Sequence, residues 1–217
     1  MANILLIRHG ESESNVGLPT SCPENVALTD LGIGQAECIA HYLAYEVSPN
    51  LIVTSSYERT KQTAAPMKLH FPSVPEEEWP VHEFTYLSDE EFLAPSTVED
   101  RKPLVNAYWE LCDPAVVDGP GSESFEQFIE RVRGVMERFE DADRNETIAI
   151  FSHEQFICAV FWLLKRKPAY ISSDEMRDFR DFLNDNSIPN AAFLRLQRRD
   201  RQHQWQPELI WPLLIAV

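Results

Sequence analysis

Short, uninterrupted apolar runs constrain this chain more than any other feature. Asn3–Ile7, Leu51–Thr54 and Thr147–Phe151, with Ala192–Leu196 as a fourth, are bounded by polar turns. A strand with one wet face alternates apolar and polar residues. A run without alternation has both faces covered, as in a sheet packed between helices. Helical spacing lies between the runs: from about Leu31 to Tyr45, from near Tyr57, and most clearly over Ser124–Phe139. In that last segment Phe125, Phe128, Ile129, Val132, Val135, Met136 and Phe139 form one stripe with charges opposite, which we read as a core face. Strands alternating with helices predict an α/β fold of three layers, helix-sheet-helix, around a mostly parallel central sheet.

The rhythm breaks between Pro66 and Gly121. This stretch carries Pro66, Pro72, Pro75, Pro80, Pro95, Pro103 and Pro114 together with the acidic run Glu76-Glu77-Glu78. We read 66–121 as a cap excursion over one face of a single domain spanning 1–217, with a short helix near Leu104–Leu111. The acidic run reads as solvated. From Trp205 to Val217 the pattern is that of a last strand, confined to an edge by Pro207 and Pro212.

A formal charge of −16 argues against nucleic acid or an acidic membrane as partner. The cluster Arg195, Arg198, Arg199 and Arg201 near His203 reads as a turn before the last strand rather than a nucleic-acid patch. Cys22, Cys38, Cys112 and Cys158 are far apart and form neither a zinc pattern nor a disulfide framework. Free thiols, no membrane-length apolar run and no secretory leader predict a cytoplasmic protein. Any phosphate site in so acidic a chain must gather positive charge locally.

Ligands of open α/β sheets bind beyond the carboxyl ends of the strands. Arg8-His9-Gly10-Glu11-Ser12 follows the first run, Ser55-Ser56-Tyr57-Glu58-Arg59-Thr60 the second, and Ser152-His153-Glu154 the Thr147–Phe151 run. Two histidines and two arginines therefore meet at one sheet edge beside helix N-termini, which favour anions. A nucleophile, an arginine clamp and a second imidazole suit phosphoryl transfer. No Walker-type loop is present, and no cysteine opens a five-residue loop ending in Arg. Asp141–Asp143 ends a helix and reads as a turn. Metal ligation by His9 and His153 lacks accompanying ligands, so we expect neither metal nor cofactor.

These residues resemble the signature blocks of the histidine phosphatase superfamily, which includes phosphoglycerate mutases. Beside Arg8–Ser12 stand Asn15, Leu28-Thr29-Asp30-Leu31-Gly32 with Gln35-Ala36, Thr54-Ser55 through Arg59 with Gln62-Thr63-Ala64, and Ser152-His153. The resemblance spans most of the chain and implies a phosphoglycerate mutase-like fold. It implies that His9 attacks phosphorus, and that Arg8, Arg59 and His153, assisted by Asn15, surround the phosphate oxygens. It also implies a general acid after the Gln-Thr-Ala block, where Val81-His82-Glu83 fits. Glu83 is our choice, with Glu11 and Glu123 as rivals. Glu11 and Ser12 would support the site, and Glu123 would orient an arginine.

Two departures stand out. Glu154 occupies a position where the family often has Gly, and a carboxylate beside a phosphate must point away or pair with a cation. Phe84-Thr85-Tyr86-Leu87-Ser88 lacks the mutases' Tyr-Gly-x-Leu-x-Gly, which favours hydrolysis over phosphotransfer. A non-catalytic phosphate-binding relative would have lost a core residue, and none is lost here. The expected substrate is a small phosphorylated molecule, handled by a monomer or homodimer. Specificity should reside between Phe84 and Gly121, where Trp109, Tyr86, Tyr108 and Phe92 either line a pocket or pack the cap.

Overall fold

The structure, a computed structural model, describes residues 1–143, 145–200 and 202–210. Six strands form one sheet: β1 (Ala2–Arg8), β2 (Leu51–Thr54), β3 (Glu76–Glu78), β4 (Thr147–Ser152), β5 (Phe193–Arg198) and β6 (Gln206–Ile210). Their spatial order is β3-β2-β4-β1-β5-β6. β3, β2, β4 and β1 run parallel; β5 and β6 close the sheet antiparallel. Six α-helices cover it: α1 (Asp30–Glu46), α2 (Glu58–His70), α3 (Val98–Leu111), α4 (Phe125–Glu140), α5 (Glu154–Arg166) and α6 (Ser173–Asp185).

The expected three layers follow from the apolar runs. In β1, Ile4 and Leu6 belong to a core with residues of α4, α5 and α6, while Leu5 and Ile7 belong to a second core with residues of α1 and α2. Successive side chains point to opposite faces, so a run apolar at every position feeds both cores. The α4 stripe joins the first core as expected, and Ser124 and Gln127 close a capping box at its start.

Several boundaries differ from the sequence reading. The short helix expected at Leu104–Leu111 is the 14-residue α3, which starts at a capping box between Thr97 and Asp100 and passes through Pro103. α2 continues through Pro66 to His70, so the excursion begins later than its first proline. The acidic run is exposed, yet it forms β3, whose Glu76 and Glu78 pair with Lys68 and Lys61 of α2. α6 was not foreseen. Arg195 and Arg198 lie in β5 rather than in a turn. Arg198 is buried, paired with Glu140, and stacks 4.4 Å over Trp205. Arg201 and residues 211–217, including Pro212, lie outside the described residues. The observed part of the last strand is an edge strand containing Pro207.

Candidate active site

Strand register builds the site. In the β1–β4 ladder Arg8 stands opposite Ser152, and Thr54 of β2 stands opposite Phe151. The next residues of the three strands, His9, His153 and Ser55, therefore emerge side by side at one carboxyl edge. Backbone bonds continue the ladder there, from His9 N to Ser152 O at 3.0 Å and from Ser55 N to Phe151 O at 3.3 Å. The turn after β1 packs tightly on the start of α1. A Cβ on Gly32 would lie 1.9 Å from the Glu11 carbonyl oxygen, so only glycine fits.

His9 is buried, and its two ring nitrogens have separate partners. Nδ1 lies 2.7 Å from the Gly10 carbonyl oxygen and must donate to it; Nε2, then unprotonated, accepts from Arg59 Nε at 3.1 Å. Arg59 is anchored by Nη1 donating to Pro23 O at 2.7 Å. Burial, then Arg59 and Arg8, hold the His9 pKa well below its ordinary value, so the ring is neutral at physiological pH. The His153 ring centroid is 5.2 Å away. Its Nε2 bonds Ser55 Oγ at 2.8 Å, and its buried Nδ1 has no hydrogen-bond partner among the described residues. Burial first, then Arg59 and His9, also depress the His153 pKa.

Arg8 donates through Nη1 to Ile188 O and pairs with Glu154 at 2.9 Å, leaving a buried Nε without partner. The unusual Glu154 thus neither points away nor repels. It meets the cation and accepts from Ser187 Oγ at 2.8 Å and Ile188 N at 3.0 Å. Asn15 Oδ1 accepts from Ser12 N, Ser12 Oγ and Asn190 Nδ2.

Glu83 Oε1 accepts from Gln155 N, in the first turn of α5, at 3.0 Å and from Phe84 N at 3.3 Å. Burial raises its pKa, against the opposing pull of Arg59 and Arg8. Its rivals lie elsewhere. Glu11 accepts from Thr29 Oγ1 at 2.8 Å at the start of α1. Glu123 accepts from Arg131 Nε at 3.0 Å and from Thr85 N and Oγ1, both at 3.2 Å. The arginine that Glu123 orients is therefore Arg131, whose remaining donors reach the carbonyls of Pro80, His82 and Glu83.

Arg8, His9, Ser12, Asn15, Arg59 and Glu83 line one cavity of 390 Å³. Its outer wall comes from the excursion: Tyr86, Leu87, Phe92, Val98, Arg101 and Val105. Tyr86 and Phe92 therefore line the pocket, whereas Tyr108 and Trp109 are buried in the core. Sequence reasoning missed Ser55 as partner of His153, Arg131, Asn190 and Gln155. Ser55 sat in a recognised block, but the others carry no local pattern. Among the described residues no three His, Cys, Asp or Glu side chains form a metal-binding group, and no helix is long and apolar enough to cross a membrane.

Known proteins share the sequence pattern and the fold. Residues 4–179 match the histidine phosphatase superfamily (branch 1). The chain is 28% identical over 166 residues to the adenosylcobalamin/alpha-ribazole phosphatase of Salmonella typhimurium, covering 76% of this chain and 80% of that one. It is 22% identical over 169 residues to the metal-independent phosphoserine phosphatase of Arabidopsis thaliana, covering 74% and 68%. Among solved structures, phosphoserine phosphatase from Entamoeba histolytica superposes with a TM-score of 0.68 at 18% identity, covering 98% of each chain. Mycobacterial glucosyl-3-phosphoglycerate phosphatase gives 0.67 at 20% identity, covering 95% and 97%. The chain belongs to the histidine phosphatase superfamily and is a phosphoric monoester hydrolase of the phosphohistidine type.

Proposed function

We propose that His9 is the nucleophile, Glu83 the general acid and base, and Arg8, Arg59, His153 and Asn15 the phosphate cradle. One observation carries this reading. The Arg59 guanidinium bonds the neutral Nε2 of His9, the His153 ring centroid lies 5.2 Å from that of His9, and two buried nitrogens, Arg8 Nε and His153 Nδ1, have no partner among the described residues. Buried polar groups are ordinarily paired, so two unpaired nitrogens beside a nucleophile fit an oxyanion. We assign Ser55 Oγ as the donor to His153 Nε2, which puts the ring proton on Nδ1 and makes it a donor to phosphate.

The chemistry proceeds in two steps. Arg59 turns its Nε–H from His9 to a phosphate oxygen, and Nε2 attacks phosphorus. The ester P–O bond breaks as the Glu83 carboxyl, whose pKa burial raises, gives its proton to the leaving alkoxide. Gly10 O, bonded to Nδ1–H, supports the positive charge on the phosphorylated ring. Glu83, now ionised, takes a proton from water as that water attacks phosphorus. The P–N bond breaks, inorganic phosphate departs and neutral His9 is restored. Arg8 and Arg59 supply the charge stabilisation in a metal-independent transfer. Residues 79–121 act as the cap.

At 390 Å³ the cavity falls within the range of about 300–1,000 Å³ usual for small-molecule sites, which supports a small phosphorylated metabolite as substrate. The named relatives act on molecules of that kind. Four free cysteines fit a cytosolic setting. The test is His9→Ala. Wild type should turn over p-nitrophenyl phosphate in the presence of EDTA and yield an acid-labile, base-stable phosphoryl adduct, and the variant should lose both. An adduct that survives in His9→Ala, or activity abolished by EDTA, overturns the reading.

A further inference from the structure

Gln155 has no part in the mechanism above beyond its backbone, which holds Glu83. Its side chain lines the cavity, and its Oε1 is buried without a hydrogen-bond partner among the described residues. A buried amide oxygen left unpaired costs stability, so such an atom in a substrate cavity marks a place where a ligand donor belongs. The position is restricted. Gln155 N donates at 3.0 Å to Glu83 Oε1, the group that must reach the ester oxygen, so the Gln155 side chain starts beside the proposed general acid.

The surroundings select the kind of donor. Tyr86 lies beside this amide: burial, then the Glu83 charge, push its pKa up to about 12, and the Trp109 and Gln155 side chains act against the rise. Tyr86 therefore remains a neutral O–H. Further out the wall is apolar and aromatic, with Leu87, Phe92, Val98 and Val105. The wall's cation, Arg101, is committed to Ser96 O and Oγ at 2.6 and 2.7 Å and stacks 4.9 Å over Phe92. Beside the neutral Tyr86 hydroxyl the cavity thus holds one neutral acceptor without a partner, Gln155 Oε1, and the rest of this wall mixes that apolar surface with Thr85 and Asp89.

We propose that Gln155 reads the leaving group: its Oε1 accepts a hydrogen bond from a hydroxyl or ammonium carried one or two carbons from the ester oxygen. The preferred substrates are then monophosphates of diols, sugars or amino alcohols rather than of simple alcohols. This rests on the assignment of the cavity as the phosphatase site with Glu83 at the ester oxygen.

The test compares β-hydroxypropyl phosphate with n-propyl phosphate, which differ by one hydroxyl, in wild type, Gln155→Leu and Gln155→Glu. Wild type should favour the hydroxylated ester in kcat/KM by about tenfold, the value of one satisfied buried hydrogen bond. Gln155→Leu should bring the ratio to unity, and Gln155→Glu, which keeps an acceptor, should retain it. A wild-type ratio at or below unity, or a ratio preserved in Gln155→Leu, overturns the proposal. If Gln155→Leu does not fold, the wild-type ratio and its retention in Gln155→Glu decide alone. Turnover of p-nitrophenyl phosphate through a His9 adduct with a flat ratio refutes only the role of Gln155. Loss of that adduct chemistry in wild type removes the assignment of the site itself.

Discussion

Arg131 makes the most exacting prediction, because one side chain braces the segment that carries Glu83. From α4 it donates to Pro80 O at 2.9 Å, His82 O at 3.0 Å and Glu83 O at 3.4 Å, while its Nε and Nη2 grip Glu123. Both side chains are mostly buried, at 13% and 15% exposure. Arg131→Met keeps an unbranched apolar stem but removes every donor, and with them the guanidinium that lies 5.2 Å over Phe128 and 5.7 Å over Phe156. Breaking one partner from a buried pair costs about 3–5 kcal/mol. Part of the loss should appear as loosening of residues 80–85, which form a loop, so we place the global cost near the lower figure. The kinetic effect follows from geometry: a shift of about 1 Å in a catalytic group costs roughly a hundredfold. Alkyl phosphates, which need Glu83 to protonate a poor leaving group, should lose about a hundredfold in kcat, whereas p-nitrophenyl phosphate should lose much less. KM should change little, since Arg8 and Arg59 are untouched. Arg131→Lys, a point charge in place of a fork, should fall between. Steady-state kinetics on both esters, with urea unfolding in parallel, provide the measurement. Equal slowing of the two esters, or lost stability with an unchanged ester ratio, would refute the link from Arg131 to Glu83.

Two predictions concern pH. Because free-enzyme pKa values govern kcat/KM, activity on an alkyl phosphate should persist well below the ordinary histidine range and decline as pH rises through the elevated Glu83 pKa. Glu83→Gln should remove that alkaline decline, and an acid limb at or above pH 6.5 would contradict a depressed His9. Stability should fall on acidification between about pH 6.5 and 5: His9, His82 and His153 have lowered pKa values and take up protons on unfolding, while Glu83, raised, releases one. Three taken up less up to one released gives a limiting slope of about 2.7–4.1 kcal/mol per pH unit, read as a shift in urea midpoint; stability that holds or rises below pH 6.5 would contradict it.

What was legible in the sequence was whatever depends on period and on strand ends. Ile4–Ile7 had no polar alternation, so two covered faces followed, and residues just past such strands had to share an edge. Placement at the strand ends is enough to bring His9, Arg59 and His153 to one edge. The failures have a common cause in tertiary context. The Thr97–Asp100 capping box is written in the sequence, but the helix carries Pro103 within its second turn, a residue that ordinarily ends or kinks a helix. Glu76–Glu78 has no strand propensity. It pairs because β2 offers an edge and because α2 supplies Lys61 and Lys68 across from it. Arg131 and Gln155 act on residues dozens of positions away, and no local spacing announces that.

The charge problem posed by the composition has a structural answer of the same kind. Glu24, Glu83, Asp89 and Glu154 line the cavity proposed to take a phosphate dianion, with Glu123 behind it, and three of these five carboxylates have a fixed counterpart at the centre of the site. Glu154 holds Arg8 together with the Ser187–Ile188 turn, Glu123 holds Arg131, and Glu83 sits on the backbone amides of Phe84 and Gln155. Glu154 and Glu123 are each tied to a cation, and burial raises the Glu83 pKa. These three act as orienting struts rather than as a repulsive field. Arg8 shows the result most directly: with Nη1 fixed by Glu154 and Ile188, its guanidinium cannot swing away, and Nε is the donor left over. Glu154 raised an objection only while it was read as a lone charge. As the partner that fixes Arg8, it belongs to the phosphate cradle.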